Sequence, residues 1–500
     1  MALKNGSKKK AACLAVLGTG SDVGKSIVTT AICRCLVARG VRVTPYKAQN
    51  MSNNSGVTPE GLEMGRAQIV QAEASRIAPH VDMNPILLKP TSEVGAQVVL
   101  MGRVEDSRSA REYHHRKGEL ENEARNALDR LRRGHDVVVM EGAGSCAEVN
   151  LMARDLVNLR MAEYADAPVV LVADIHRGGV FAQIVGTLAC LPPEQRDRIA
   201  GFIINRFRGD LSLFEEGTRW IENRTGKPVF GVLPWYSHFR IEAEDSVVIE
   251  APAKLATHQV KMPAVAVIRI PHISNFTDFD PLDNVHGLGL HFLEAAQDLA
   301  AFSAVILPGS KSTRSDLAWL HHTGWTAKIQ AFVEAGGHVL GICGGYQMMG
   351  RAVHDPTGIE GEAGTSPGLG ILPVETELKT PKTTTRTQFS WNGTRGSGYE
   401  IHMGRTRRTG GSALFEIHEK NARPFSGEDG CISQESSVMG TYIHGLFDQP
   451  EIIRKWLDTA GIEGVEVSGV HGLVARDRDY DLLADHFERH VDMDKLAALL

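Results

Sequence analysis

Two clusters in this 500-residue chain combine reactive side chains with the small residues needed to expose them. The first is His338-Val339-Leu340-Gly341-Ile342-Cys343-Gly344-Gly345-Tyr346-Gln347, with Cys343 in the form G-x-C-x-G directly after an apolar run. This is the thiol counterpart of the strained strand-to-helix elbow that exposes a catalytic serine. Glycines are needed there because the turn presses the nucleophile's neighbours against adjacent strands. A helix starting at the turn lowers the thiol pKa and supplies N–H donors for an oxyanion, with Gly344 placed for one of them. Pro308-Gly309-Ser310 ends the run Ala304–Leu307, so the Gly309 backbone is a candidate for the second donor. A nucleophilic cysteine also needs a base. His444, in Thr441-Tyr442-Ile443-His444-Gly445-Leu446, is one candidate; His402, in Gly398-Tyr399-Glu400-Ile401-His402-Met403-Gly404, is its rival.

The second cluster is Gly18-Thr19-Gly20-Ser21-Asp22-Val23-Gly24-Lys25-Ser26, between an apolar run and a helix-like stretch. Such a loop turns successive N–H groups toward phosphate oxygens at the positive end of a helix. Thr19, Gly20, Asp22, Val23 and Gly24 form the cradle, Lys25 adds a charge for the terminal phosphates, and the Ser26 hydroxyl suits Mg²⁺. The strict pattern has Gly where Thr19 stands, so the loop is a variant by one residue. A dinucleotide fingerprint has no use for the Lys-Ser pair. Glu141, leaving Val137–Met140 into Gly142-Ala143-Gly144-Ser145, either holds Mg²⁺ opposite Ser26 or caps the next turn. Lys47 either reaches the phosphates or an acyl phosphate, or is solvated. Asn205 either pairs with a base edge or forms a turn, and Asp174 ends the intervening strand before Arg177-Gly178-Gly179.

The elements that must position these groups alternate as in parallel α/β sheets. Strands are expected at Cys13–Leu17, Val41–Thr44, Val137–Met140, Val169–Ala173 and Gly201–Ile204, with a helix over Gly24–Arg39. A second series begins at Ala264–Ile270 and continues through Ala304–Leu307 and His338–Ile342. The prolines around Ala251–Met262 mark the boundary between them. Beyond Phe447 the chain reads as a mixed-charge helical packing tail, and Arg103–Arg133 as a basic helical region, more a solvated face than a polycarboxylate site.

Composition narrows the class. Apolar residues make up 42% and charged residues 23%, which fits globular α/β units. The balance of 54 basic against 60 acidic residues offers no bulk electrostatic case for nucleic acid or an anionic membrane. No run approaches a membrane span of about 18 apolar residues. Seven cysteines without a C-x-x-C pair point to a reducing, cytoplasmic setting. Glycine is enriched at 51 residues, many of them in the two clusters.

From about Ala12 to its end the chain resembles the cobyric acid synthase family of glutamine-dependent amidotransferases. The resemblance is carried by GTGSDVGKS, Tyr46-Lys47-Ala48-Gln49-Asn50-Met51-Ser52-Asn53-Asn54, MEGAGS, VADIHRGGVFAQIVGT, GFIINRFRGD, LPGSKST, GICGGYQMMG, Lys382-Thr383-Thr384-Thr385, GYEIHMG and YIHGLF. It implies a P-loop domain similar to dethiobiotin synthetase over 1–250, whose Gly-Thr start accounts for Thr19. A triad-type (class I) glutaminase domain follows over 263–448, and a helical tail over 449–500. It further implies that Cys343 attacks the glutamine side-chain amide, with Gly309, Gly344 and Gln347 around it and His444 as base. Ammonia then displaces phosphate from an ATP-activated corrin carboxylate. The implied partners are ATP, Mg²⁺, glutamine and a corrinoid, adenosylcobyrinic acid a,c-diamide, amidated four times, with no tightly bound organic cofactor. Free ammonia protonates in water, so a dry passage between the sites is expected.

One departure stands out. Class I glutaminases carry Glu two residues after the histidine, where this chain has Leu446, so another group orients His444 or the dyad acts alone. Two other readings remain: the related enzyme that amidates the a and c carboxylates of cobyrinic acid, and a partition-type P-loop switch ATPase with a relic glutaminase. The latter class carries a second lysine inside the loop, where this chain has Gly20, Ser21, Asp22 and Val23.

Overall fold

The computed structural model describes residues 10–92, 95–109, 117–236, 239–242, 262–435 and 437–500. Of the inferred boundary Ala251–Met262, only Met262 lies among them.

Six parallel strands form the first sheet, in the spatial order Val229–Pro234, Ile199–Phe207, Val169–Asp174, Ala12–Gly18, Val137–Glu141, Val43–Tyr46. The three central strands are buried along almost their whole length, which is why they read as continuous apolar runs rather than alternating ones. Val229–Pro234 sits at an edge and is only partly buried, so its apolar signal is weak. The second sheet runs Gly289–Leu293, Ala264–Ile268, Ala304–Leu307, His338–Ile342, Val438–Thr441, Cys431–Ile432, all parallel except the last short edge strand. In both sheets the candidate site lies at the carboxyl ends of central strands, where loops between strand and helix converge.

The intervening β structure was not anticipated. Gln49–Met51, Ile86–Ser92, Gly95–Leu100 and Arg103–Ser109 form a four-stranded sheet inserted into the first unit. Arg103–Arg133 is therefore not one helical region: it opens as a strand, and the helix begins at Lys117, with 110–116 outside the described residues. Arg103 pairs with Leu100 through a tight turn at Met101-Gly102, both at positive φ, and hairpin pairing overrides local helix preference. In the second unit, long antiparallel strands over Thr383–Trp391 and Thr394–His402 carry the KTTT and GYEIHMG segments side by side.

The last 52 residues serve both units. Helix Pro450–Thr459 buries Ile452, Ile453, Trp456 and Leu457 against the second sheet's core. Helix Gly472–His490 then returns to the first unit, where Leu483 and Phe487 join the core under the helix Lys25–Ala38. Arg34, 1% exposed, is held there by Asp477 and Asp481, each at 2.7 Å. This stretch reads as a bland tail because each helix matches its periodicity to a different partner.

Phe487 is fully buried in that seam. Phe487→Ala is expected to cost about 3–5 kcal/mol. The loss should appear in urea unfolding as an earlier transition with an unchanged slope.

Candidate active sites

The helix Lys25–Ala38 begins at Gly24, whose φ of 93° is a conformation that side-chain-bearing residues avoid. The turn brings Lys25 back under the loop, where its ammonium donates to the Gly20 and Gly144 carbonyls, both at 2.9 Å. Ser26 donates to Glu141 Oε1 at 2.9 Å, so the loop hydroxyl and the strand carboxylate meet as expected. A hydroxyl and a carboxylate side by side are hard oxygen ligands that leave most positions to water and phosphate, the set Mg²⁺ prefers.

Two sequence expectations change around this site. Lys47 is not solvated: it is buried and binds Glu141 Oε1 at 2.8 Å, with Gln71 on the other carboxylate oxygen. Asn205 is not an open base reader, because its amide donates to the Val23 carbonyl at 2.9 Å and its oxygen accepts from the Arg206 N–H. It stiffens the loop from beneath. Asp22 and Asp174 are bridged by Arg206, at 3.0 Å to each, which ties the loop to the next strand end. Thr19 lies within 3.4 Å of Gln183, and Gly20 and Val23 complete the cradle.

In the second unit Cys343 has φ 53° and ψ −107°, the strain of a nucleophile elbow. Its N–H donates to the Thr441 carbonyl at 2.7 Å, locking the turn to the neighbouring strand. Glycine is obligatory beside it. A Cβ on Gly345 would overlap the Leu307 carbonyl, and one on Gly344 would lie 2.6 Å from the Ser310 nitrogen. The Gly344 backbone thus packs against Ser310, and a Cβ on Gly309 would lie 3.2 Å from His444 Cε1. Away from this site, burial pushes Cys13 to about 11 and Cys33 and Cys146 to about 12, which leaves them inert near neutrality.

His444, not His402, pairs with this thiol, and it does not act as half of a bare dyad. Asp278 Oδ2 lies 2.6 Å from His444 Nδ1, while Oδ1 accepts the Gly445 N–H at 2.9 Å. The aspartate stands on a short turn, Phe276–Phe279, and 166 residues separate it from the histidine. No spacing signal could have found it. Burial opposes a charge on His444, but Asp278 and the Cys343 sulfur outweigh it and raise the imidazole to about 10. The arrangement can keep the imidazole charged over the physiological range, beside the thiol. His402 points elsewhere. It is stacked on Tyr442, faces the Gly404 carbonyl and Glu400, and burial lowers its pKa.

A cavity of about 330 Å³ opens beside Cys343. Gln347 lines it, yet its side chain is already bound to Thr313, Met403 and Tyr442, so it shapes the wall. Lys311 also faces the cavity, and burial together with nearby Lys89 brings its ammonium down to about 8.

A phosphate loop paired with a metal-type carboxylate, followed by a thiol–imidazole–carboxylate triad, defines an ATP-using glutamine amidotransferase. Residues 14–248 match the CobQ/CobB/MinD/ParA nucleotide binding domain, and residues 264–452 the CobB/CobQ-like glutamine amidotransferase domain. The chain is 51% identical over 492 residues to a cobyric acid synthase of Chlorobium chlorochromatii, covering 97% of this chain and 96% of that one. It is 51% identical over 493 residues to that of Chlorobaculum tepidum, with 97% of each chain covered. A relative from Syntrophobacter fumaroxidans is 45% identical over 506 residues, covering 97% of this chain and 98% of its own. The chain belongs to the cobyric acid synthase family. No helix among the described residues is long and apolar enough to cross a membrane.

Asp278→Asn keeps the shape and removes the charge that sustains the imidazolium. Only the Cys343 sulfur then opposes burial at His444, so the alkaline limit of glutamine hydrolysis should move to lower pH. Its kcat/KM should fall about 10²–10⁴-fold. A pH–rate profile checks both, and an unmoved alkaline limb would remove Asp278 from this role.

Proposed function

We propose that this chain converts adenosylcobyrinic acid a,c-diamide to adenosylcobyric acid by amidating the b, d, e and g carboxylates, using one ATP and one glutamine for each. The observation that carries this reading is similarity at about half identity through both units at once, with the reactive groups of each in contact range.

In the second unit the Cys343 thiolate attacks the glutamine amide carbon, and the oxyanion is met by backbone N–H groups at Gly309 and Gly344. His444 gives its proton to the departing nitrogen, releasing ammonia and leaving a thioester. Water, deprotonated by His444, then frees glutamate and restores the thiol. Asp278 fixes the tautomer through Nδ1, so Nε2 is the atom that moves the proton. Lys311 offers a cation for the glutamine α-carboxylate.

In the first unit a substrate carboxylate takes the γ-phosphoryl group of ATP, giving an acyl phosphate and ADP. Ammonia attacks the acyl carbon, and phosphate leaves with the C–O bond electrons. Activation is needed because a free carboxylate has no adequate leaving group. Thr19 to Gly24 cradle the phosphates and Lys25 neutralises the terminal ones, while Lys47 stands beside them on Glu141. Ser26 and Glu141 would hold Mg²⁺, which supplies charge neutralisation between the phosphates.

Cys343→Ala should abolish glutamine-driven amidation and leave ammonia-driven, ATP-dependent amidation intact. Product mass with the a,c-diamide should show four added amides. If only the unamidated cobyrinic acid is turned over, the substrate assignment belongs to the related a,c-diamide synthase instead.

A further inference from the structure

The wall of the cavity around Cys343 is not built by the second unit alone. Lys89 and Gln97, from the sheet inserted into the first unit, stand in it beside Lys382. Lys382 reaches across the junction to Glu63 Oε2 at 2.6 Å, and Lys89 binds the other oxygen at 2.8 Å. Lys89 also donates to Ser55 Oγ at 2.8 Å. The Ser55 N–H, in turn, meets the side chain of Asn275, another residue of the cavity wall, at 2.9 Å. Glu63 is 1% exposed. Burial raises its pKa, but the two ammonium groups override this and hold it well below the usual carboxylate range.

Behind Glu63 lies a run of buried amides leading to the phosphate site. Two residues on, the Gly65 N–H donates to Asn84 Oδ1 at 3.2 Å, and Asn50 Nδ2 donates to Gln68 Oε1 at 3.1 Å. A methyl group on Gly65 would lie within 2.7–2.9 Å of Asn50, Asn84 and Gln68, so these amides converge on one point. Asn84 Nδ2 then donates to the Lys47 carbonyl at 3.2 Å, and the Lys47 ammonium rests on Glu141. Gln71, one turn after Gln68 on the same helix Arg66–Ala74, reaches Glu141 from the other side.

Two atoms in this seam have no hydrogen-bond partner among the described residues: the donor Gln68 Nε2 and the acceptor Gln71 Oε1. Both residues are 0% exposed. A buried orphan of this kind is costly unless a small polar molecule meets it. Ammonia has the matching chemistry, with one lone pair for the Gln68 donor and N–H groups for the Gln71 oxygen.

We propose that ammonia released at Cys343 reaches the acyl phosphate through the Glu63–Lys89–Lys382 cluster, which gates the junction, and along the Asn50–Gln68–Gln71 seam. The inference rests on the glutaminase and synthetase assignments above. Opening the gate requires only that Lys382 leave Glu63, because Lys89 still pairs with the carboxylate. Glutaminase and synthetase turnover are thereby joined through one ion pair that spans both units.

The test uses the full chain with glutamine, ATP and the corrin. Glutamine consumed, ammonia escaping to solution and amides formed are counted in parallel, beside amidation driven by saturating ammonium chloride. Two variants avoid the residues that line the cavity or touch Glu141: Glu63→Gln, which breaks the gate, and Gln68→Met, which removes the polar seam at nearly constant volume. In each, amide formed per glutamine should drop from about one to below about one half, while glutaminase kcat/KM and ammonium-driven amidation stay within about twofold. The missing nitrogen should appear as free ammonia. An unchanged ratio in both variants overturns the route, as does a parallel fall of glutamine- and ammonium-driven amidation at a constant ratio. Absence of glutamine-driven amidation in the unmodified chain would instead count against the enzyme assignment.

Discussion

A carboxylate taken out of water must be met by hydrogen bonds or cations, or its burial costs several kcal/mol. This chain buries three at its working centres, and each is satisfied by groups from distant parts of the sequence. Glu141 holds Ser26, Lys47 and Gln71 at the phosphate site. Asp278 holds His444 and the Gly445 N–H at the thiol site. Glu63 holds Lys89 and Lys382 where the units meet. A buried carboxylate stripped of all its partners would be an uncompensated charge, so the three clusters specify how the elements around them must pack.

The same requirement joins the units. Lys382 leaves the long hairpin of the second unit to satisfy a carboxylate of the first, and Asn275 does the same for the Ser55 N–H. On another side of the junction, Arg476 of the returning helix pairs with Glu73 of the first unit and with Asp448, which follows the His444 loop. The final helices therefore act as a strap that carries both cores.

The parallel strands and both glycine clusters were readable in the sequence because their signals are local. A strand buried on both faces reads as an apolar run, and a loop that must approach phosphate or carry a strained nucleophile needs glycine at set positions. Chemical type left two readings for Glu141, and left both His444 and His402 open as base for Cys343, with the family resemblance favouring His444. The inserted sheet over 49–109 was hidden because its strands pair through a hairpin whose polar residues lack alternation. Asn205 and Lys47 were ambiguous for a related reason. A polar side chain at a strand end looks the same whether it faces ligand, solvent or a neighbouring backbone.

By itself the sequence determined the two chemistries, their order along the chain and the strand–loop–helix units that expose them, since each depends on residues within a few positions of one another. Only the tertiary structure decided what orients His444, because Asp278 reaches it across the sheet with no fixed spacing. It also decided which groups close the cavity beside Cys343, since the first unit's Lys89 and Gln97 complete a wall begun by the second. Hydrogen bonding and charge pairing act over about 3 Å in space and are indifferent to distance along the chain. What depends on them becomes visible only when the chain has folded.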